Sequence, residues 1–211
     1  MRAIPAGALG AGFVGAFVVV SAVVFVGASA MLNRLTLELA PIALIVVLSY
    51  SYMKRVTRWS HLVLGLALGI APSAAWIAVR GSYDRRMLVL IALVMLWVGG
   101  FDVLYACQDF EHDRRVGLNS IPAAFGLVGA FWIARGMHAL MLLMSLWLDR
   151  LFGLGAIGHV GTAVVAALVL YEHSIVSPKD IRRMNAAFFL LNGIISVVFF
   201  IFVAAAVFLK E

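Results

Sequence analysis

Charge is what this chain has least of. Lysine, arginine, aspartate and glutamate make up 12% of its 211 residues, against roughly a quarter in a soluble domain. So few charged side chains cannot clothe a water-exposed surface, which excludes an ordinary soluble fold. Cysteine is almost absent: Cys107 stands alone, so no intrachain disulfide can form. Acidic residues number only ten. There is no low-complexity linker and no polar stretch long enough for a soluble domain. Of the five histidines, His61, His138, His159 and His173 are scattered with no metal-ligand spacing, so packing or interface roles are expected of them, and His112 is assigned no chemistry. Cys107 lacks a nucleophile's surroundings and is expected to be packed. No Walker-type or Ser-His-Asp pattern is visible.

What fills the chain is apolar: 64% hydrophobic residues and a mean hydropathy of +1.08. This composition predicts an all-α, polytopic membrane bundle, with residues 1–211 forming a single transmembrane domain in a lipid bilayer. A membrane helix takes about 20 mostly apolar residues. Seven such runs fall at 9–31, 37–53, 61–80, 87–107, 121–147, 153–172 and 185–208. The N-terminal Met1-Arg2-Ala3-Ile4-Pro5 has one basic residue, and the run behind it is too long for a cleavable signal. Pro41 and Pro72 fall inside spans, where neighbouring helices cover the freed carbonyls. Gly65 and Gly69 form a small-xxx-small pair suited to close helix packing.

The net charge of +6 resides in short loops, which points to retention at an anionic membrane face rather than to nucleic acid. Seven spans place the N-terminus and the second, fourth and sixth loops on one side. That side carries Arg2, Lys54, Arg55, Arg58, Arg114, Arg115, Lys179, Arg182 and Arg183. The other side carries Arg34, Arg80, Arg85, Arg86, Arg150 and Lys210, and Arg135 lies within a span. The basic excess makes the first side cytoplasmic, in an inner (cytoplasmic) membrane. The basic second loop and the fourth loop are then expected to meet over one ligand.

The fourth loop gathers Asp109, Glu111 and Asp113. If one α-helix runs through 102–113, Asp109 and Asp113 share a face, and Asp102 lies on the same stripe, deeper in the membrane. Tyr105 is close to that stripe. Glu111 points away, solvated or paired with Arg114 or Arg115. Two carboxylates so spaced suit Mg²⁺, which takes one or two carboxylates plus phosphate oxygens. They equally suit a proton relay, or an interfacial loop whose charges simply sit in water. Asp102 tips the balance toward function, because an aspartate inside an apolar helix needs a partner, and no other acid lies well inside a span. On the same side, Tyr50 and Lys54 share a face at the end of the second span. Lys54 suits a phosphate as a point charge and Arg55 as a bidentate donor. A Tyr/Lys/Arg helix end is also what the aromatic belt and the positive-inside rule produce unaided.

Asp102-x-x-Tyr105-Ala106-x-Gln108-Asp109-x-x-x-Asp113, followed by Gly117-Leu118-x-Ser120-Ile121-Pro122, resembles the second Asp-rich motif of the UbiA-type intramembrane aromatic prenyltransferases. Tyr50-x-x-x-Lys54 resembles that family's Tyr-x-x-x-Lys motif, and Ala3-Ile4-Pro5-Ala6-Gly7 resembles the segment that opens its third helix. The subgroup most similar in pattern is the 4-hydroxybenzoate polyprenyltransferases of ubiquinone and menaquinone synthesis. The resemblance implies nine helices around a cavity. It also implies Mg²⁺-dependent transfer of a polyprenyl group from an allylic diphosphate to an aromatic acceptor such as 4-hydroxybenzoate. On it, Asp109 and Asp113 are metal ligands. Lys54, Arg55, Tyr50 and Asp102 serve the reaction, while Tyr105, Gln108, Arg2 and Ser120 contact substrate. An apolar tunnel is expected to hold the isoprenoid.

The family's first Asp-rich motif, Asn-Asp-x-x-Asp, has no counterpart here, since no Asn-Asp pair occurs. With seven spans rather than nine, the chain reads as N-terminally incomplete, and little transferase activity is expected of these residues alone. The competing classes are a membrane transporter and a non-catalytic membrane subunit. A transporter would be expected to carry acids inside several spans.

Overall fold

Apolar runs interrupted by caps and glycines dictate the architecture. The computed structural model describes residues 7, 9–181, 184 and 186–209. Among these, all regular structure is helical: α1 (Ala11–Ala30), α2 (Arg34–Val56), α3 (Ser60–Arg80), α4 (Met87–Ala106), the short α5 (Phe110–Arg115), α6 (Ile121–Phe152), α7 (Gly155–Ile175) and α8 (Asn192–Phe208). A 3₁₀ turn, Cys107–Asp109, joins α4 to α5, and a π-helical turn, Ala186–Leu191, leads into α8. Seven of these helical segments are long and apolar enough to cross a membrane. The protein is a multi-pass integral membrane protein. Arg2, the Ala3–Ala6 part of the opening motif, Arg182, Arg183 and Lys210 lie outside the described residues.

Helix ends follow local chemistry. Asn33 caps α2: its Oδ1 accepts the Thr36 amide at 2.9 Å, while its Nδ2 donates to the Ile77 and Ala78 carbonyls of α3. One side chain thus starts one helix and pins it to the end of the next. Ser120 caps α6 by accepting the Ala123 amide at 3.3 Å. Early in α6, Gly126 adopts φ 71, ψ 171, a conformation that L-residues avoid, and kinks the helix.

Packing is tightest from α3 through α4 to α6. The Gly65/Gly69 pair sits at the α3–α4 contact as expected: a Cβ on Gly69 would lie 2.7 Å from the Ile91 carbonyl oxygen, and one on Gly65 would collide with that of Met95. The core beside the fourth loop gathers Val103, Leu104, Cys107, Ile121, Phe131 and Met184. By contrast, α1 buries only Ser29 and turns Phe13, Phe17 and Val24 outward, as a lipid-facing helix does.

Two expectations are corrected. The fifth and sixth spans run past their expected ends, because Gly153 in the left-handed conformation stops α6 and α7 continues to Ile175. Asp149 consequently lies in a buried helical position, Glu172 is buried before the end of α7 rather than at it, and Asp102 is not the only acid inside a span. Second, the helix through 102–113 is not uniform. Three residues at 3.0 rather than 3.6 per turn advance the stripe by roughly 60° more than a regular α-helix would.

Candidate functional site

Main-chain bonds bring the second and fourth loops together. The Asn119 amide donates to the Lys54 carbonyl at 2.7 Å, and Asn119 Nδ2 donates to the Arg55 carbonyl at 3.3 Å. The Leu118 amide turns back onto the Asp113 carbonyl at 2.9 Å. The 113–121 segment is therefore fastened to the end of α2.

Beneath this fastening, Lys54 Nζ lies 3.2 Å from Asp113 Oδ2. Asp113 is 1% exposed, whereas the lysine side chain stays partly open. Asp109 is exposed, so the two aspartates of the expected pair have different surroundings. Glu111 is exposed and makes no ion pair with a described residue. Arg55 is exposed with its guanidinium over the Tyr52 ring, 6.0 Å from the centroid, and does not join the lysine–aspartate pair. Gln108 is exposed, and Tyr105 is half-buried with its ring edge against Phe189. Ser120 is fully buried, and its hydroxyl serves as the helix cap described above.

Deeper in the membrane, Asp102 finds the partner it requires in a residue that pattern reasoning assigned to packing. His61 Nδ1 lies 2.7 Å from Asp102 Oδ2, and His61 Nε2 accepts the Ile121 amide at 3.3 Å. An imidazole nitrogen that accepts carries no proton, so the other nitrogen bears the hydrogen and donates it to the aspartate. His61 is fully buried and ties α3 to α4 and to the first residue of α6. Tyr50 on α2 lies within reach of the Asp102 charge. The only sequence signal for His61 was the unpaired state of Asp102 itself.

Among the described residues, no three His, Cys, Asp or Glu side chains gather closely enough to hold a metal ion. The donors present are hard carboxylate oxygens beside a lysine. They fit Mg²⁺ as a partial ligand set, completed by phosphate oxygens and water, and not as an all-protein cage. Toward the opposite end of α2, an apolar cavity of about 540 Å³ lies between α1, α2, α3 and α4, lined by residues including Phe25, Leu35, Leu39, Ile70 and Ile91.

The sequence profile of the UbiA prenyltransferase family matches residues 1–208. A 4-hydroxybenzoate octaprenyltransferase of Xanthomonas oryzae pv. oryzae (strain PXO99A) is 33% identical over 176 residues, covering 83% of this chain and 58% of that protein. One from Nitrosococcus oceani is 28% identical over 169 residues, covering 80% of this chain and 59% of that protein. The chain thus spans less than two thirds of the length of these curated relatives. The apo structure of a UbiA homolog from Aeropyrum pernix K1 superposes with a TM-score of 0.81 at 29% identity, covering 97% of this chain and 74% of that one. A structure of digeranylgeranylglyceryl phosphate synthase shares the fold, with a TM-score of 0.74 at 17% identity, covering 98% of this chain and 74% of that one.

Proposed function

We propose, for a chain that belongs to the UbiA prenyltransferase family, that it serves the transfer of a polyprenyl group from an allylic polyprenyl diphosphate to an aromatic acceptor such as 4-hydroxybenzoate, in quinone synthesis. The observation that carries this reading is Lys54 at 3.2 Å from buried Asp113, with Asp102 held by His61 below them. The reading treats residues 1–211 as one transmembrane domain in the inner membrane, with the second and fourth loops on the cytoplasmic side.

Cleavage of the allylic C–O bond separates an allylic cation from a diphosphate. The Lys54 ammonium is placed to take negative charge as it develops on the leaving group. Asp113 holds that ammonium before the diphosphate arrives, so the lysine does not have to be recruited from solvent. Asp109, exposed at the surface, and Asp113 would hold Mg²⁺, which supplies further positive charge against the diphosphate. Arg55 offers a second cation at the rim. Asp102, fixed by His61, and Tyr50 line the deeper part of the site, while Tyr105 and Gln108 border its approach. The surrounding apolar helices exclude water, which would otherwise capture the allylic cation. Thr36, at the apolar cavity, precedes Lys54 by eighteen residues, about 27 Å along α2. An extended isoprenoid whose diphosphate sits at Lys54 reaches that depth.

The test is binding first and turnover second. In nanodiscs, the chain should bind an allylic polyprenyl diphosphate in a Mg²⁺-dependent manner. Appreciable release of diphosphate and prenylation of 4-hydroxybenzoate are expected only where an Asn-Asp-x-x-Asp motif is also supplied, and little of residues 1–211 alone. Tight binding that ignores both Mg²⁺ and the Lys54→Ala change would overturn the assignment.

A further inference from the structure

The helix ends that carry Lys54 and Asp113 are joined by one short stretch of main chain, and Asn119 is its link to α2. At the end of α2 the chain turns extended at once, with Thr57 at φ −142, ψ 145. The Thr57 amide closes the last turn on the Met53 carbonyl at 2.8 Å. The Trp59 amide, which a longer helix would spend on the Arg55 carbonyl, goes instead to Thr57 Oγ1 at 3.2 Å. The Lys54 and Arg55 carbonyls are thus among those that a helix end cannot satisfy by itself. Asn119 serves both, the first through its amide and the second through Nδ2. It is a C-cap for α2 supplied from the fourth loop.

The short α5 stops in another way. Gly117, at φ 70, reverses the chain, and the Val116 and Leu118 amides return to the His112 and Asp113 carbonyls. Two residues beyond Asn119, the Ile121 amide goes to His61 Nε2. The amides at 118, 119 and 121 are therefore committed to α5, α2 and α3 in turn. The segment is a junction without slack, and through it the main chain of Asp113 is tied to the main chain of Lys54.

Among the described residues, the polar links between α2 and residues 107–121 are the two bonds of Asn119 and the Lys54–Asp113 ion pair. The prenyl-transfer reading draws the ammonium away from Asp113 when a diphosphate arrives. The ion pair is then spent, and the bonds of Asn119 remain to hold the end of α2. They matter more with ligand bound than without it.

We propose that Asn119 is a positioning residue for the diphosphate site: by capping α2 from the fourth loop, it keeps Lys54 within reach of the diphosphate once the ammonium has left Asp113. The inference rests on the reading that Lys54 meets the diphosphate. Asn119 acts through Lys54 and not by contact with substrate. Its side chain is exposed, so its removal changes overall stability little. Removing a residue that acts only through another has no further effect once that other is gone.

A double-variant cycle on binding tests this without turnover. The probe is farnesyl thiolodiphosphate, an allylic diphosphate analogue, with Mg²⁺, on protein in nanodiscs. Unfolding midpoints are recorded for each protein with and without the probe. Asn119→Ala should weaken binding about threefold or more, the net contribution of one hydrogen bond, with little change in the midpoint of the unliganded protein. Added to Lys54→Ala, the same substitution should cost less than about twofold. The same fold loss in both backgrounds, or a lowered midpoint with unchanged binding, overturns the inference. The two readings fail separately. Binding that depends on Lys54 but not on Asn119 removes this inference alone, whereas binding indifferent to Lys54→Ala removes the prenyl-transfer reading and this inference with it.

Discussion

Lys54 and Asp113 stand fifty-nine residues apart in the chain and 3.2 Å apart in space. The aspartate is buried and the lysine is not, so the pair is asymmetric. Asp113 depends on Lys54 for charge compensation, while Lys54 retains access to an incoming anion.

Removing the lysine should expose that dependence. Lys54→Ala leaves a buried carboxylate without its cation and is expected to destabilise the protein by about 2–3 kcal/mol. Adding Asp113→Asn should restore most of that loss without restoring Mg²⁺-dependent diphosphate binding. Thermal unfolding in detergent, read beside a binding isotherm for the single and double variants, separates the two effects. Recovery of binding in the double variant would remove Lys54 from the ligand site.

Asp109 should behave in the opposite manner. Its side chain is exposed, so Asp109→Ala is expected to change stability by no more than about 0.5 kcal/mol. The same substitution should weaken Mg²⁺-dependent diphosphate binding by about tenfold or more, the loss of one ligand to a hard cation. Unchanged binding across a Mg²⁺ titration would show that this carboxylate is a solvated loop residue.

His61 offers a test of hydrogen bonding against volume. His61→Leu keeps much of the bulk but leaves Asp102 Oδ2 and the Ile121 amide without partners, at an expected cost of about 2–4 kcal/mol. Glutamine carries a donor and an acceptor on one amide, so His61→Gln should lose less than about 1.5 kcal/mol and retain diphosphate binding. Equal behaviour of the two variants would mean that His61 acts by packing alone.

The α3–α4 contact makes a purely mechanical prediction. Gly69→Val must push α3 away from the Ile91 carbonyl, and about 1–3 kcal/mol of stability should be lost. Gly136→Ala, at a helical position where an added methyl meets no atom within 4 Å, should leave the unfolding midpoint nearly unchanged.

The spans were legible because each is a long apolar run, and the meeting of the second and fourth loops followed from parity and charge. The ends of α6 and α7 were not legible, because glycine conformation and tertiary packing set them rather than hydropathy. Hence Asp149 looked like a loop residue and Glu172 like the last residue of its span, and both proved to be buried helical ones. The different surroundings of Asp109, exposed, and Asp113, buried beside Lys54, depend on packing between the second and fourth loops, which leaves no mark in composition. His61 and Asp102 are separated by forty-one residues, and only the fold reveals that each answers the other's need.

The fastening of the 113–121 segment to α2 uses the carbonyl of Lys54 and leaves its ammonium out. The anchor and the moving part therefore belong to one residue but to different bonds. If, as proposed, the ammonium swings from Asp113 toward an anionic guest, the main chain beneath it does not have to let go. The cap can thus exchange an internal counter-ion for an external one while its frame stays still. The reorganisation required on ligand entry shrinks to the four-carbon reach of a single side chain.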